Sequence, residues 1–294
     1  MKSDIKALFK PKDSDKVIEL NSIVLALVNG FPDIEMIVLF GSYATGKWVE
    51  DIQRIGGNEY GYNSDFDLLI ILHTNSKANS SLYTARFDQV IRSLKLSTPV
   101  GAIYHGIDFV NRQIIEGSYF FHEIVEHGYM LYNSNRHTLN PVKALDIIEL
   151  KAKAQKDFEY WTRKADQALT KYELCMQLSF MEEAAFELHQ ATERYYAAVR
   201  LVFTGYKPKT HDIGELEVYI NNLDLRFAKV FHRESEAQEN YFQLLRRAYV
   251  DARYNVNYVI SKEELEYIYN RVKTLQSLTK KVCTNKIHEL VGKI

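Results

Sequence analysis

An α+β chain of two domains, an α/β unit followed by an all-helical bundle, is the fold class that the sequence predicts, and three observations predict it. Short apolar runs rich in Ile and Val alternate with helix-length segments up to about residue 135. Beyond Val142 glycines become sparse and no comparable strand runs occur. Between the two textures lies a polar connector of Asn133, Ser134, Asn135, Asn140 and Pro141, which sets the boundary near residue 140, with domains over 1–140 and 141–294. Length agrees, because 294 residues are enough for two cores where one domain takes roughly 100 to 200.

The elements follow in order. "MIVLF" (36–40), "FDLLIIL" (66–72) and "VGAIYHGIDFV" (100–110) read as strands, with a helix from Leu82 to Leu96 between the second and third. In the second half, Met181, Ala184, Leu188, Ala191, Tyr195, Ala198 and Val202 recur at spacings of three and four, the stripe of an amphipathic helix that Gly205 and Pro208 stop. Asp212 with Glu215 and Ser261 with Glu264 have the spacing of capping boxes, and Leu265, Ile268, Val272, Leu275 and Val282 form a further stripe.

Composition excludes several classes. With 46% apolar and 26% charged residues, 20 tyrosines and 15 phenylalanines, the chain reads as globular rather than disordered. A net charge of −1 gives no long-range attraction to nucleic acid or to an anionic membrane, so any RNA contact must be local. Cys175 and Cys283 are too few for a disulfide framework and have no Cys/His set beside them for zinc, which fits a reducing cytoplasm. "MKSDIKALFKPKDSDK" holds no apolar signal core, and no apolar run approaches the roughly 20 residues a bilayer requires, so neither secretion nor a membrane location is expected.

The chemistry concentrates between Leu39 and Leu72, "LFGSYATGKWVEDIQRIGGNEYGYNSDFDLLIIL". On an extended strand residues i and i+2 share a face, so Asp65 and Asp67 present two carboxylates side by side while Phe66 and Leu68 turn to the core. Adjacent carboxylates repel unless a cation lies between them, and Mg2+ commonly uses one or two carboxylates together with substrate phosphates. Gly41 follows "IVLF" directly and lets the backbone approach a phosphate, with the Ser42 hydroxyl and the next N–H groups beside it. Taken singly, a Gly-Ser is usually a turn and an Asp-x-Asp a solvated strand entry. Together, flanking consecutive strands, they describe a phosphate cradle facing a metal site.

"LFGSYATGK" followed by "SDFDLLIIL" resembles the nucleotidyltransferase signature of the polymerase-beta-like superfamily, in particular its minimal and kanamycin-type nucleotidyltransferase branches, over roughly residues 30 to 135. The resemblance implies a mixed sheet and transfer of a nucleoside monophosphate from an NTP, most often AMP from ATP. It also implies that Gly41, Ser42 and Lys47 hold the nucleotide and that Asp65 and Asp67 bind Mg2+. Two departures stand out. The 22 residues between Ser42 and Asp65 are longer than usual, so "WVEDIQRIGGNEYGYN" reads as an insertion suited to a lid or a partner surface. The family generally supplies a third carboxylate from a later strand, and "PVGAIYHG" has none. Asp108, just beyond it, is the candidate, in a position that equally suits a helix cap; His105 is a second candidate base, in a place where a lone histidine is more often structural.

"FELHQATERYYAAVRLVFTGYKPKTHDIGEL" (186–216) resembles the HEPN family of helical bundles, over roughly residues 145 to 285. Many members are ribonucleases that use an Arg, four to six arbitrary residues and then a His; Arg246, Arg247 and Arg253 have no such histidine. Lys207, Lys209, Thr210 and His211 form either a phosphate-binding loop or a helix cap with solvated lysines, and His189 and Gln190 read as interior or interface groups. The leading expectation is a Mg2+-dependent nucleotidyltransferase acting on a protein, RNA or small-molecule hydroxyl, by analogy in a toxin-antitoxin or defence setting. The resemblance also implies pairing of helical domains into a homodimer. The alternatives are a nucleotide-binding regulator without transfer activity and, third, a HEPN ribonuclease.

Overall fold

The computed structural model describes residues 2, 5–9, 13–46, 48, 50–55, 58–142 and 146–290. The chain divides into two units, residues 1–145 and 146–294.

In the first unit, α1 (Ser14–Gly30) leads into β1 (Ile34–Phe40) and a one-turn helix α2 (Gly41–Thr45). The hairpin β2 (Glu50–Ile55) and β3 (Asn58–Asn63) is followed by β4 (Phe66–Leu72), the short α3 (Asn75–Ala78) and α4 (Ser81–Ser93). β5 (Val100–Gly106), α5 (Ile107–Ile115), α6 (Tyr119–His127) and β6 (Tyr129–Asn133) complete it. The four-stranded sheet has the order β5-β4-β1-β6; β4 and β5 run parallel, and β1 is antiparallel to both β4 and β6, so the sheet is mixed.

Both central strands are buried almost throughout, as expected of a sheet covered on two faces. One face, with Ile37, Leu39, Phe66, Leu68 and Ile70, packs with Leu20, Ile23 and Leu27 of α1 and Phe87 and Ile91 of α4. α5 and α6 contact the strands as well and bring buried Val110, Ile114, Phe120, Phe121 and Ile124. Each such side chain removed from water stabilises the fold by roughly 1.5–3 kcal/mol before entropy is subtracted.

One apolar run divides. The stretch 100–110 reads as a single strand, yet β5 ends at Gly106 and α5 begins at Ile107. A side chain at Gly106 would bring Cβ within 2.2 Å of the Asn75 backbone nitrogen, so the strand passes too close to α3 for any other residue there. Ile107, Val110 and Ile114 then continue the apolar pattern at helical spacing, which is why the run looks unbroken in sequence. The long insertion is a separate two-stranded hairpin with Glu50 paired to Asn63.

The second unit is helical: α7 (Ile147–Gln177), α8 (Met181–Thr204), α9 (Ile213–Leu223), α10 (Glu236–Arg247), α11 (Asp251–Tyr254) and α12 (Lys262–Glu289). α8 is its axis, and Ala184, Leu188, Ala191, Tyr195, Ala198 and Val202 of the predicted stripe are all buried. Ala165 and Ala168 of α7 join Ala184, Ala185 and Ala191 of α8 in the same core, where small side chains permit close helix packing. Gly205 stops α8 in the left-handed region at φ 68°, with its N–H on the Leu201 carbonyl at 2.8 Å. Ser261 and Glu264 form the reciprocal capping box that starts α12. Among the described residues no helix is long and apolar enough to cross a membrane.

Candidate active site

The site is built where β1 gives way to α2 beside the first residues of β4. Phe40 pairs with Asp67 across the two strands, so the residue after Phe40 meets the Asp67 side chain. Gly41 has φ 75°, and a Cβ on it would lie 2.0 Å from Asp67 Oδ2. Only glycine satisfies both conditions: it adopts the left-handed backbone without penalty and leaves room for the carboxylate. The two motifs that sequence separates by more than twenty residues are therefore in van der Waals contact.

Burial of Phe66 sets the facing of the aspartates. Its ring lies within 4.6 Å of Tyr43, centroid to centroid, in the core behind the sheet. Asp67 consequently points to the other face, and strand alternation gives Asp65, one residue before β4, the same facing. Asp65 is 7% exposed and Ser64 4%, so this carboxylate sits in a desolvated place rather than at a wet strand end. Ser42 is half-buried in the first turn of α2.

α2 is too short to be stable by propensity and is fixed by its neighbours. Tyr43, fully buried, stacks on Trp48 with centroids 5.1 Å apart and also packs on Phe9 and Phe66. Thr45 Oγ1 donates to the Gly41 carbonyl at 3.0 Å, and Gly46, at φ 70°, closes the turn with its N–H on the Tyr43 carbonyl. A second clamp holds the entry of β5 beside Asp67. Glu19 of α1 accepts hydrogen bonds from the Ser97 N–H and hydroxyl (2.6 and 2.8 Å) and from the Thr98 hydroxyl (2.6 Å), while the Pro99 carbonyl accepts from the Phe66 N–H. Partial burial works against ionisation of Glu19, but the Thr98 and Ser97 hydrogen bonds outweigh it and keep the carboxyl below its usual range. Glu19 lies outside any motif, and the anchoring role of Tyr43 depends on Trp48, Phe9 and Phe66, which only the fold brings to it.

The remaining candidates lie elsewhere. Asp108 is in the first turn of α5, exposed, past the C-terminal end of β5. Asp67 is level with Gly101 in the parallel β4–β5 ladder, and Gly106 is five residues further along. At about 3.3 Å per residue Asp108 is displaced by more than about 15 Å along the sheet. The structure thus does not bring Asp108 to the aspartate pair; the connection from β5 leaves at the wrong end of the strand. His105 is level with Ile71, 1% exposed and stacked on Phe109 at 4.5 Å, a core position. The place beside Asp67 on β5 belongs to Gly101, which has no side chain. Lys47 lies outside the described residues.

In the helical unit the three arginines singled out in the sequence have carboxylate or aromatic partners. Arg246 makes a bidentate pair with Asp212, whose carboxylate, partly buried, is held below its usual range by that guanidinium and by the Gly214 N–H it caps. Arg247 lies 3.6 Å from Asp251, and Arg253 sits over the rings of Phe186, Tyr249 and Tyr254. Glu193 takes His211 Nδ1 at 3.0 Å and has Lys207 at 3.7 Å. In the 207–212 loop Asp212 thus caps α9, and Lys207 and His211 meet a carboxylate of the protein.

Comparison with protein-family models gives two matches. Residues 22–137 match the model described as polymerase beta, nucleotidyltransferase, and residues 158–282 match the HEPN domain. No curated protein matches the chain.

Proposed function

From a chain that carries a polymerase beta-type nucleotidyltransferase domain followed by a HEPN domain, we propose that it moves a nucleoside monophosphate, AMP from ATP, to a hydroxyl acceptor. The observation that carries this reading is the contact between Gly41 and the Asp67 carboxylate, which no residue with a Cβ could replace. A turn selected only to reverse the chain does not need a carboxylate against its Cα.

The donor set fits a hard divalent cation: the Asp67 carboxylate, on β4 and against Gly41, and the buried Asp65 two residues before it. Asp65 and Asp67 would hold Mg2+. When bound, the ion neutralises charge on the phosphates and on the leaving pyrophosphate. Gly41 and Ser42 bind and orient the triphosphate, and the Tyr43–Trp48 stack keeps that turn from moving as the acceptor oxygen attacks the α-phosphorus and pyrophosphate departs. Gly101 supplies no base, so the acceptor proton leaves to water or to a group the acceptor brings.

Gly101 also favours a second reading, a nucleotide-binding regulator that has lost transfer. A toxin-antitoxin or defence setting and pairing of helical domains belong to the first reading; exposed Val250, Tyr254, Val256 and Val259 are apolar surface suited to a partner. ATP labelled at the α-phosphate, incubated with Mg2+ and RNA, protein and small-molecule fractions, tests the proposal. Label transfer lost in both Asp65→Asn and Asp67→Asn supports it. Transfer that survives both changes contradicts the metal site, and binding without any transfer supports the regulator.

A further inference from the structure

At the opposite end of the same sheet three side chains converge that the nucleotide site does not use. Glu35 Oε1, His73 Nδ1 and His137 Nε2 lie 3.0, 3.3 and 3.7 Å from one another, in the pairs Glu35–His73, His73–His137 and His137–Glu35. Each comes from a different segment: Glu35 from the start of β1, His73 from the residue after β4, His137 from the turn after β6.

The backbone is shaped to bring them there. The β1–β4 register shifts between Ile34 and Met36, so Glu35 is the extra residue of a β-bulge, the device by which a strand re-aims one side chain. The turn after β6 passes through Asn135 at φ 60°, unusual for a residue with a side chain, and is closed by the Asn133 side chain accepting from the Asn135 N–H. It returns His137 to His73, with ring centroids 5.3 Å apart.

The Glu35 side chain is 0% exposed, and its two oxygens have different tasks. Oε2 accepts from the Ser134 hydroxyl at 2.6 Å and from Arg136 Nε at 3.1 Å, while Arg136 Nη2 anchors on the Pro32 and Ile34 carbonyls. This fixes the carboxylate and leaves Oε1 for the two imidazoles. With no ion present, Oε1 accepts from His73 Nδ1 at 3.0 Å when that nitrogen carries the ring's proton. With both protons on the far ring nitrogens, His73 Nδ1, His137 Nε2 and Oε1 each turn a lone pair to the same point, where a cation would meet all three.

We propose that Glu35, His73 and His137 form a binding site for a zinc-class divalent ion, separate from the nucleotide site and open to solvent at its fourth position. A tetrahedral ion with bonds of about 2.0–2.1 Å places its ligand atoms about 3.3–3.4 Å apart, close to the mean of the three separations. Two imidazoles and one carboxylate suit zinc and its neighbours in the first transition row, not Mg2+, which prefers oxygen. Ser134 and Arg136 orient the carboxylate as outer partners commonly do. The side chains of His73 and His137 are 56% and 36% exposed, which leaves an entry path and a free coordination position. Glu35 is five residues from Phe40, the partner of Asp67, so the two sites lie roughly 17 Å apart along the strand. The ion would tie β1, β4 and the segment leaving β6 to one point.

The test uses the full chain, stripped with chelator and dialysed. Calorimetric titration with Zn2+ alone is expected to give one equivalent, Co2+ to give the visible absorption of a tetrahedral nitrogen-oxygen site, and saturation to raise the Tm. His73→Ala, at an exposed position, and His137→Ala, at a half-buried one, should each weaken binding at least tenfold and remove the absorption. Asp65→Asn/Asp67→Asn should leave zinc binding unchanged. No binding by the wild type, binding unaltered in both histidine variants, or binding lost in the aspartate variant would overturn the proposal.

Discussion

At the scale of single residues the candidate nucleotide site rests on Gly41. It is held at φ 75° with Asp67 against its Cα, so Gly41→Ala meets a left-handed penalty of about 1–2 kcal/mol and a collision with the carboxylate. The variant should keep its secondary structure by circular dichroism, lose a few degrees of Tm, and lose Mg2+-dependent nucleotide affinity by tenfold or more; unchanged affinity would mean the turn does not hold phosphate. The closeness of Gly41 to Asp67 follows from their positions at the ends of paired strands, while a period of two puts Asp65 and Asp67 on one face in sequence. Asp108 was not placed correctly by sequence, because nothing in the run tells which end of a parallel strand lies beside a given residue. Glu35, His73 and His137 were equally hidden: a strand bulge and a left-handed Asn135 assemble them, and neither has a short-range signature.

At the scale of elements, what could be read was what carries its own period. The runs 36–40 and 66–72 lie within β1 and β4, and the stripe from Met181 to Val202 is α8. The region 100–110 reads as one strand because the buried face of α5 prolongs the apolar run, and β6, a five-residue strand, is too short to stand out. Two predictions belong here. Glu19→Gln should loosen the Ser97–Thr98 clamp that sets β5 beside Asp67 and lower stability by about 1 kcal/mol at neutral pH, read by urea unfolding. Because the Glu19 carboxyl lies below its usual range, this contribution is present above the unfolded pKa and fades as pH falls through the folded one, so the variant should differ least from wild type in acid. Ser261→Ala removes the capping box of α12 and should cost about 1 kcal/mol; a loss below a few tenths would show that packing alone starts the helix.

At the scale of the molecule, each unit has its own hydrophobic core, and the core of the helical one contains a titratable group. His189 is 0% exposed, and burial pushes its pKa down to about 4, against the opposing influence of Glu193 and the His211 backbone, with His211 and Asp212 also near. The folded state keeps this ring neutral while the unfolded chain takes up a proton near pH 6.5, so stability falls as pH drops from about 6.5 towards 4, by up to about 3 kcal/mol. His189→Leu should flatten that part of the stability profile; an unchanged slope would place its origin elsewhere. The division into an α/β and a helical texture was readable because glycine and strand runs vanish together, whereas the acceptor depends on pocket shape that no motif encodes. The central claim is that "LFGS" and "SDFD" make one nucleotide site, and calorimetric titration with non-hydrolysable ATP, with and without Mg2+, tests it most directly. Mg2+-dependent binding by the wild type should disappear in Asp65→Asn/Asp67→Asn. No binding of any NTP, or binding indifferent to the metal and to both substitutions, would contradict it.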